Sequence, residues 1–593
     1  MIKRSTKLRF RRKFRRSQRQ VENLSVQAEQ GVDKHFFKRL SRLSDIRRFV
    51  TAWVLLVTLL GAGLIMQVRA LSPYYQEVLP VEGGIYTEGI VGRFTTANPL
   101  YATSGVDAAV SHVVFSGLMR YNANNEIVGD LASSVQEKNN SSTFIVTLNE
   151  DIVWHDDTPL TANDVAFTYE LIQNPDTKSP LLANWQNIKI TVNDKQTITF
   201  DLPHSLSSFP HLLTNGIVPE HVLKDVSPSQ LRNAEFNTIN PVGSGPFVWE
   251  SIQVNGRNVE TREEQIGLNP FQNYHLGMPK IDKLIMKAVH DRDNLIEQFK
   301  AQEVDAIAGL EKIPESFDQS ELYAYELPLN AQVMSFFKVS HDVLKDNAVR
   351  KALTKATNQA EVLKVLEYPV IPVKSPLLRT HLGFNEDLTQ FTFEQNEAKK
   401  ILDDNGWKPG ANGIREKDGI PLSFQLFSRD SGEYSRVAEV LKNQWNSIGA
   451  NVEVVLQNDT QIQSTIALHN YDALLYGITV GADPDVYAYW HSGQADARSS
   501  SRLNFSEIKS DAIDSALEGG RSRSDKELRA LKYKPFLKEW RDKAPAVGLY
   551  QPRFLYITRN KVFGIDSKVL NNSSDRFTDV HTWRVKTGRV TIE

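Results

Sequence analysis

An unbroken apolar run fills positions 473–478 (Ala-Leu-Leu-Tyr-Gly-Ile), and turn residues close in on both sides of it. A run this short, bounded in this way, predicts a buried strand. Elsewhere the pattern alternates. Phe144, Val146 and Leu148 are set off by Thr143 and Thr147, and Ile198, Phe200 and Leu202 by Thr197, Thr199 and Asp201. Both segments predict half-buried strands. Between them Thr161, with Asp164 three residues on, caps a helix that runs to about Gln173 and stops ahead of Pro175. Residues 395–405 form a helix ended by Gly406, and 422–427 a strand. Tyr434, Val437, Ala438, Leu441, Trp445 and Ile448 then mark one helix face, closed by Gly449, before Val452, Val454 and Leu456 open another strand. Strand, helix and strand of these lengths make a βαβ unit, so this half predicts an α/β fold with a largely parallel sheet.

A different pattern holds near the start. Positions 49–68 carry no charge for 20 residues, about the length that spans a bilayer core. Residues 1–48 hold 16 of the 69 Lys/Arg and 4 of the 71 Asp/Glu, leaving 53 and 67 for the rest. The near-neutral total of −2 therefore hides a tail of +12 and a body of −14. An acidic body argues against nucleic-acid binding. A basic tail ending in Arg47-Arg48 reads as a topology signal that keeps the amino end cytoplasmic and puts the body outside. Val68-Arg69-Ala70 loosely resembles a cleavage site, but the apolar run exceeds the usual signal core, and an uncleaved single-pass anchor is the expectation.

The 593 residues exceed one core and predict several domains. With no cysteine, disulfides, thiol catalysis and zinc–cysteine sites are excluded. No Walker phosphate loop, His-Glu-x-x-His or Gly-x-Ser-x-Gly occurs. Trp154-His155-Asp156-Asp157 reads as a turn rather than a metal cluster, and Gly243-Ser244-Gly245-Pro246 as a tight reversal. No cofactor and no metal are expected. The loop after the 473–478 strand is the most promising stretch: Gly481-Ala482-Asp483-Pro484-Asp485, then Tyr487, Tyr489 and Trp490. Ligands in α/β folds gather at the carboxyl ends of strands, and acceptors beside rigid aromatic faces suit binding. The competing reading is a tight turn with its aromatics in the core.

Several blocks, in order, resemble one family. They are Asn98-Pro99-Leu100, Val114-Phe115-Ser116-Gly117-Leu118 with Tyr121, Trp154 through Val165, Gly243 through Phe247, Asn269-Pro270, Val349 through Leu353, Asn405-Gly406-Trp407, and the Asp-Pro-Asp stretch. Across roughly 80–570 this set is similar to the family 5 extracellular solute-binding proteins, the dipeptide, oligopeptide and nickel receptors of ABC importers. The resemblance implies a two-lobed periplasmic-binding-protein-like α/β fold (type II, with an extra subdomain), which the apolar run precedes with one N-terminal transmembrane helix. The expected parts are a cytoplasmic tail at 1–48, an anchor at 49–68 and a spacer at 69–82. Lobe 1 with its subdomain follows at 83–309, lobe 2 at 310–560, and a return to lobe 1 at 561–593.

In peptide receptors of this kind the loop carries an aspartate that pairs with the ligand's α-amino group, and backbone groups bind the peptide as an added strand. Here that aspartate's place falls among residues 480–482, which makes Asp483 the nearest carboxylate, as amine clamp or as loop cap. Ile478 stands where Trp is common. The expected ligand-binding set is Asn98, Tyr101, Leu118, Tyr121, Arg429, Thr479, Asp483, Asp485, Tyr487 and Trp490. The implied function is a membrane-anchored, non-enzymatic receptor that takes up peptides. Its partners would be a peptide ligand, an ABC permease with its ATPase subunits, and the membrane. The alternatives are another solute, such as a nickel chelate or oligosaccharide, or a ligand-sensing signalling receptor.

Overall fold

A computed structural model describes residues 47–256, 261–368, 370–496, 498–499, 502–565 and 568–591. Apart from Arg47 and Arg48, the basic tail lies outside them. The chain divides into two units, Met1–Leu79 with Thr587–Glu593, and Pro80–Lys586. In the first, a helix spans Arg47–Tyr75 and contains the apolar stretch Phe49–Ala70, 22 residues with a mean hydropathy of 2.3 and no buried residue. At about 1.5 Å per residue such a stretch covers roughly 33 Å, enough to cross a hydrocarbon core. The helix continues to Tyr75, and the strand Gln76–Val81 pairs with Lys586–Thr591.

The second unit is built on two large sheets. In the seven-stranded sheet, Ile85–Val91 lies at the centre, parallel to both Lys283–Val289 and Ala306–Ala308, and the outer pairings are antiparallel. The six-stranded sheet runs Ile371–Pro372, Ala546–Gln551, Ala331–Phe337, Ala473–Thr479, Ser423–Arg429, Asn451–Gln457. The βαβ unit is present, with Ser423–Arg429 parallel to Asn451–Gln457 across the helix Gly432–Asn446. The sheet as a whole is mixed rather than largely parallel. Ala331–Phe337 arrives from the other sheet and pairs antiparallel on both sides, with Ala473–Thr479 and with the returning strand Ala546–Gln551. Both faces of this sheet are covered: Val333, Phe337, Ala473 and Leu475 enter one core, and Met334, Phe336, Leu474 and Ile478 the other.

The chain passes between the sheets twice, just after Tyr323–Pro328 and just before Arg553–Thr558, and Leu329 N–H donates to Pro552 O (2.9 Å) where the passages meet. A separate antiparallel sheet pairs Thr143–Leu148 with Thr197–Asp201, carrying Ala132–Lys138 and Lys189–Val192 on its edges. Over it lies the helix Ala162–Gln173, whose Thr161 cap is reciprocated by the Asp164 carboxylate (Thr161 N to Oδ2, 2.8 Å).

Candidate functional site

The strand Ala473–Thr479 delivers the loop 480–486 to a cavity of about 1100 Å³. One wall is this loop with Tyr487, Glu518 and Arg521. The other comes from the antiparallel subdomain and its flank, including Tyr121, Ser142, Leu206, Ser208 and His211. A second cavity of about 420 Å³, running toward the helix Gly105–Val114 and Asp575, shares Tyr121, Asn184, His211 and Leu212 with the first, so the two are neighbouring parts of one cleft.

The loop is fixed from several sides. Val480 and Gly481 donate their N–H groups to Asn330 O (2.9 and 3.1 Å), tying the loop to the first chain crossing. Gly481 has φ +69°, the left-handed region that glycine tolerates, and its carbonyl accepts from His381 Nε2 (2.8 Å). Asp485 N–H donates to Asp483 Oδ1 (3.0 Å), a turn in which the aspartate side chain replaces a backbone carbonyl.

Both loop carboxylates are paired. Asp483 receives a two-pronged contact from Arg529 on the helix Lys526–Lys543 (2.9 and 2.7 Å). Burial pushes this carboxyl's pKa up, but the Arg529 hydrogen bonds and charge, with the Asp485 N–H, hold it below the usual range. His211 Nε2 faces it at 3.8 Å; burial outweighs the aspartates and lowers the His211 pKa, which favours the neutral ring. The His211 Nδ1 and the Tyr121 hydroxyl are 2.9 Å apart. Asp485 Oδ2 accepts from Arg521 Nη2 and Ser208 Oγ, both at 3.0 Å, and the Arg521 guanidinium lies over the Tyr487 ring at 4.1 Å. Ser208 belongs to the opposite wall. So does Ser207, whose N–H and Oγ both donate to Arg521 O (2.8 and 3.0 Å).

Of the ten residues expected at the site, Tyr121, Asp483, Asp485 and Tyr487 reach the cleft wall together. The other six do not line either cavity. Asn98 is wholly buried and bonds Asn237 and Leu100 N–H; Tyr101 donates to Thr177 O. Leu118 is core, and Trp490 packs between Phe336 and Trp540. Thr479 ends its strand with its carbonyl on the Tyr489 hydroxyl, and exposed Arg429 pairs with Asp459. Sequence reasoning missed Arg521, Arg529, Ser208, His211 and His381. Two acidic residues at a buried loop call for counter-charges, but nothing local says which arginines supply them.

The His155 block and the Gly243–Gly245 reversal turn out to be one structure. His155 Nδ1 accepts Gly243 N–H (3.2 Å) and Nε2 donates to Gly245 O (3.0 Å). A Cβ on Gly243 would stand 1.9 Å from Val114 O, so the reversal needs glycine for close approach. Among the described residues no group of three His, Asp or Glu is placed to hold a metal ion.

Two large sheets bridged by two chain crossings, with a cleft between the loop of the six-stranded sheet and the antiparallel subdomain, give a body built to enclose a solute. The chain belongs to the bacterial extracellular solute-binding proteins, family 5, whose middle region matches residues 126–499. This is a family of binding components of ABC importers. The oligopeptide-binding protein AppA of Bacillus subtilis is 25% identical over 488 residues, 80% of this chain and 87% of the relative. Its structure with a nonapeptide superposes with a TM-score of 0.67 at 23% identity, covering 86% of this chain and 100% of that one. NikZ from Campylobacter jejuni in complex with Ni(L-His) gives a TM-score of 0.71 at 23% identity, covering 84% and 99%.

Proposed function

We propose that this receptor captures peptides in the cleft and passes them to an ABC permease. The observation that carries the reading is size. A cavity of about 1100 Å³, extended by the neighbouring 420 Å³, exceeds the roughly 300–1,000 Å³ typical of a pocket for one drug-sized molecule. A small chelate would leave most of it to water; an extended peptide would fill it. Similarity to a protein crystallised with a nonapeptide supports the same reading. The lobe boundaries belong at the two crossings, near residues 329–330 and 552, so that lobe 1 takes in Tyr323–Pro328 and Arg553–Thr558. The apolar helix anchors the protein, with the basic tail cytoplasmic and the body outside.

Native mass spectrometry of residues 75–593, purified from cells and then denatured to release its ligand, tests the capture. A ladder of peptide masses is the expected result. A single non-peptide mass would replace the peptide reading with another solute.

A further inference from the structure

The charged groups on the described cleft walls, Glu518 excepted, are already answered from within the protein. Asp483 takes both prongs of Arg529, whose Nε is itself anchored on Gly520 O (2.9 Å), and the two side chains are 12% and 8% exposed. Asp485 is held by Arg521 and Ser208. In the smaller cavity Asp130 pairs with His275 (2.6 Å), and Asp575 caps the Asn571 and Asn572 N–H groups (2.9 and 3.3 Å). Arg120 there is taken by Asp579 (3.2 Å). Among the described carboxylates on these walls, Glu518 stands apart. Its side chain is 62% exposed beside His491, where solvent screens any pairing.

Resting on the peptide reading above, we propose that the loop carboxylates give no charge clamp for a ligand's amino end, and that Arg529 is the specificity-determining residue that cancels Asp483. The ligand class is then peptides read as an uncharged main chain, those with a blocked amino end binding as well as those with a free one.

The physical reason is occupancy. An ionised carboxylate offers about four lone-pair directions. Arg529 and Asp485 N–H fill three of those on Asp483, and His211 faces the oxygen that has one left. An incoming ammonium would also approach the guanidinium, and like-charge repulsion in a partly dry cleft offsets what the carboxylate offers. Displacing Arg529 instead would leave a buried cation without its partner.

The test is a competition on the purified full-length protein in detergent. A randomised pentapeptide pool with free amino ends is mixed with an equal amount of the same pool N-acetylated, and bound masses are read by native mass spectrometry. The expected bound ratio is within about twofold of one; a preference of tenfold or more for the free pool would overturn the inference while leaving the receptor reading standing. Binding of neither pool would overturn the peptide reading, and this inference with it. Arg529→Met keeps the apolar stem and removes the charge, so Asp483 becomes available. It should shift the ratio toward the free pool by about tenfold, and Arg529→Lys should keep the wild-type ratio. A folded Arg529→Met protein with an unchanged ratio would count against the proposal. Should that variant fail to fold, the wild-type ratio decides alone.

Discussion

Glu88, on the central strand of the larger sheet, and Arg576, in the carboxyl-terminal stretch, form an ion pair with no solvent contact to speak of. The guanidinium is boxed by the rings of Phe554, Tyr556 and Phe577, at 5.1, 5.7 and 4.1 Å, and the Tyr556 hydroxyl donates to the other Glu88 oxygen (2.6 Å). Desolvating two charges costs nearly what their attraction returns, so such a pair adds little net stability while both partners are present. Losing one is another matter, because the survivor is left charged and dry. Arg576→Met is therefore expected to lower unfolding free energy by about 3–5 kcal/mol, read from urea denaturation. The double variant Glu88→Leu with Arg576→Met should recover part of that loss. A double variant as unstable as the single one would mean that ring packing, and not the stranded charge, dominates. The same logic explains why this contact was invisible in the sequence: its partners are 488 positions apart and no local pattern links them.

At the scale of the element, the cleft loop and the glycine reversal use one device, a neutral histidine between a backbone N–H and a backbone carbonyl. His381 Nδ1 accepts Leu378 N–H (3.3 Å) while Nε2 donates to Gly481 O; His155 does the same between Gly243 and Gly245. Each ring is locked with its proton on Nε2, so a second proton would point at a backbone N–H. Burial lowers both pKa values, that of His155 from 6.5 to about 4. The unfolded chain thus binds these protons first. The stabilisation is full above pH 6.5, is lost as pH falls toward the folded values, and levels off below them. His155 alone accounts for a loss on the order of 2–3 kcal/mol between pH 6.5 and 4. Urea midpoints measured across that range should fall steadily, and a flat profile would sink the assignment.

Elements were the most legible level of the sequence. The alternation at Thr143–Leu148, the Thr161 cap and the βαβ unit at 422–456 are all set by neighbours a few residues apart. The cleft loop was found as a position, but its chemistry was not, because Arg521 and Arg529 lie 36 and 46 residues beyond their aspartates on helices whose packing only the fold determines. Leu118 lies between the wall residues Gly117 and Met119, and Trp490 three positions after Tyr487, yet both turn inward, and a residue's direction from the main chain is not written in its neighbours' identities.

Across the whole molecule, the two crossings bond to each other at Leu329 and Pro552, and the cleft rim is bridged by Ser207, Ser208 and Asn140 reaching Arg521, Asp485 and Ser522. Crossings that lie side by side, with a rim held by separable hydrogen bonds, suit rigid-body closure. The proposed capture further requires the cleft to face the outside. Charge is the argument for that orientation: +12 on the amino-terminal side of an uncharged 20-residue stretch and −14 after it. Because the chain has no cysteine, single cysteines report orientation against a silent background. Lys300→Cys, on the exposed end of the helix Arg292–Lys300, should react with a membrane-impermeant maleimide in intact cells. Ser17→Cys, in the basic tail, should react only after the membrane is opened. The reverse pattern would invert the topology and put the cleft out of reach of external solutes. A mature product that keeps the first cysteine but has lost the second would show that the apolar stretch is removed as a signal sequence, and that something else holds the receptor to its permease.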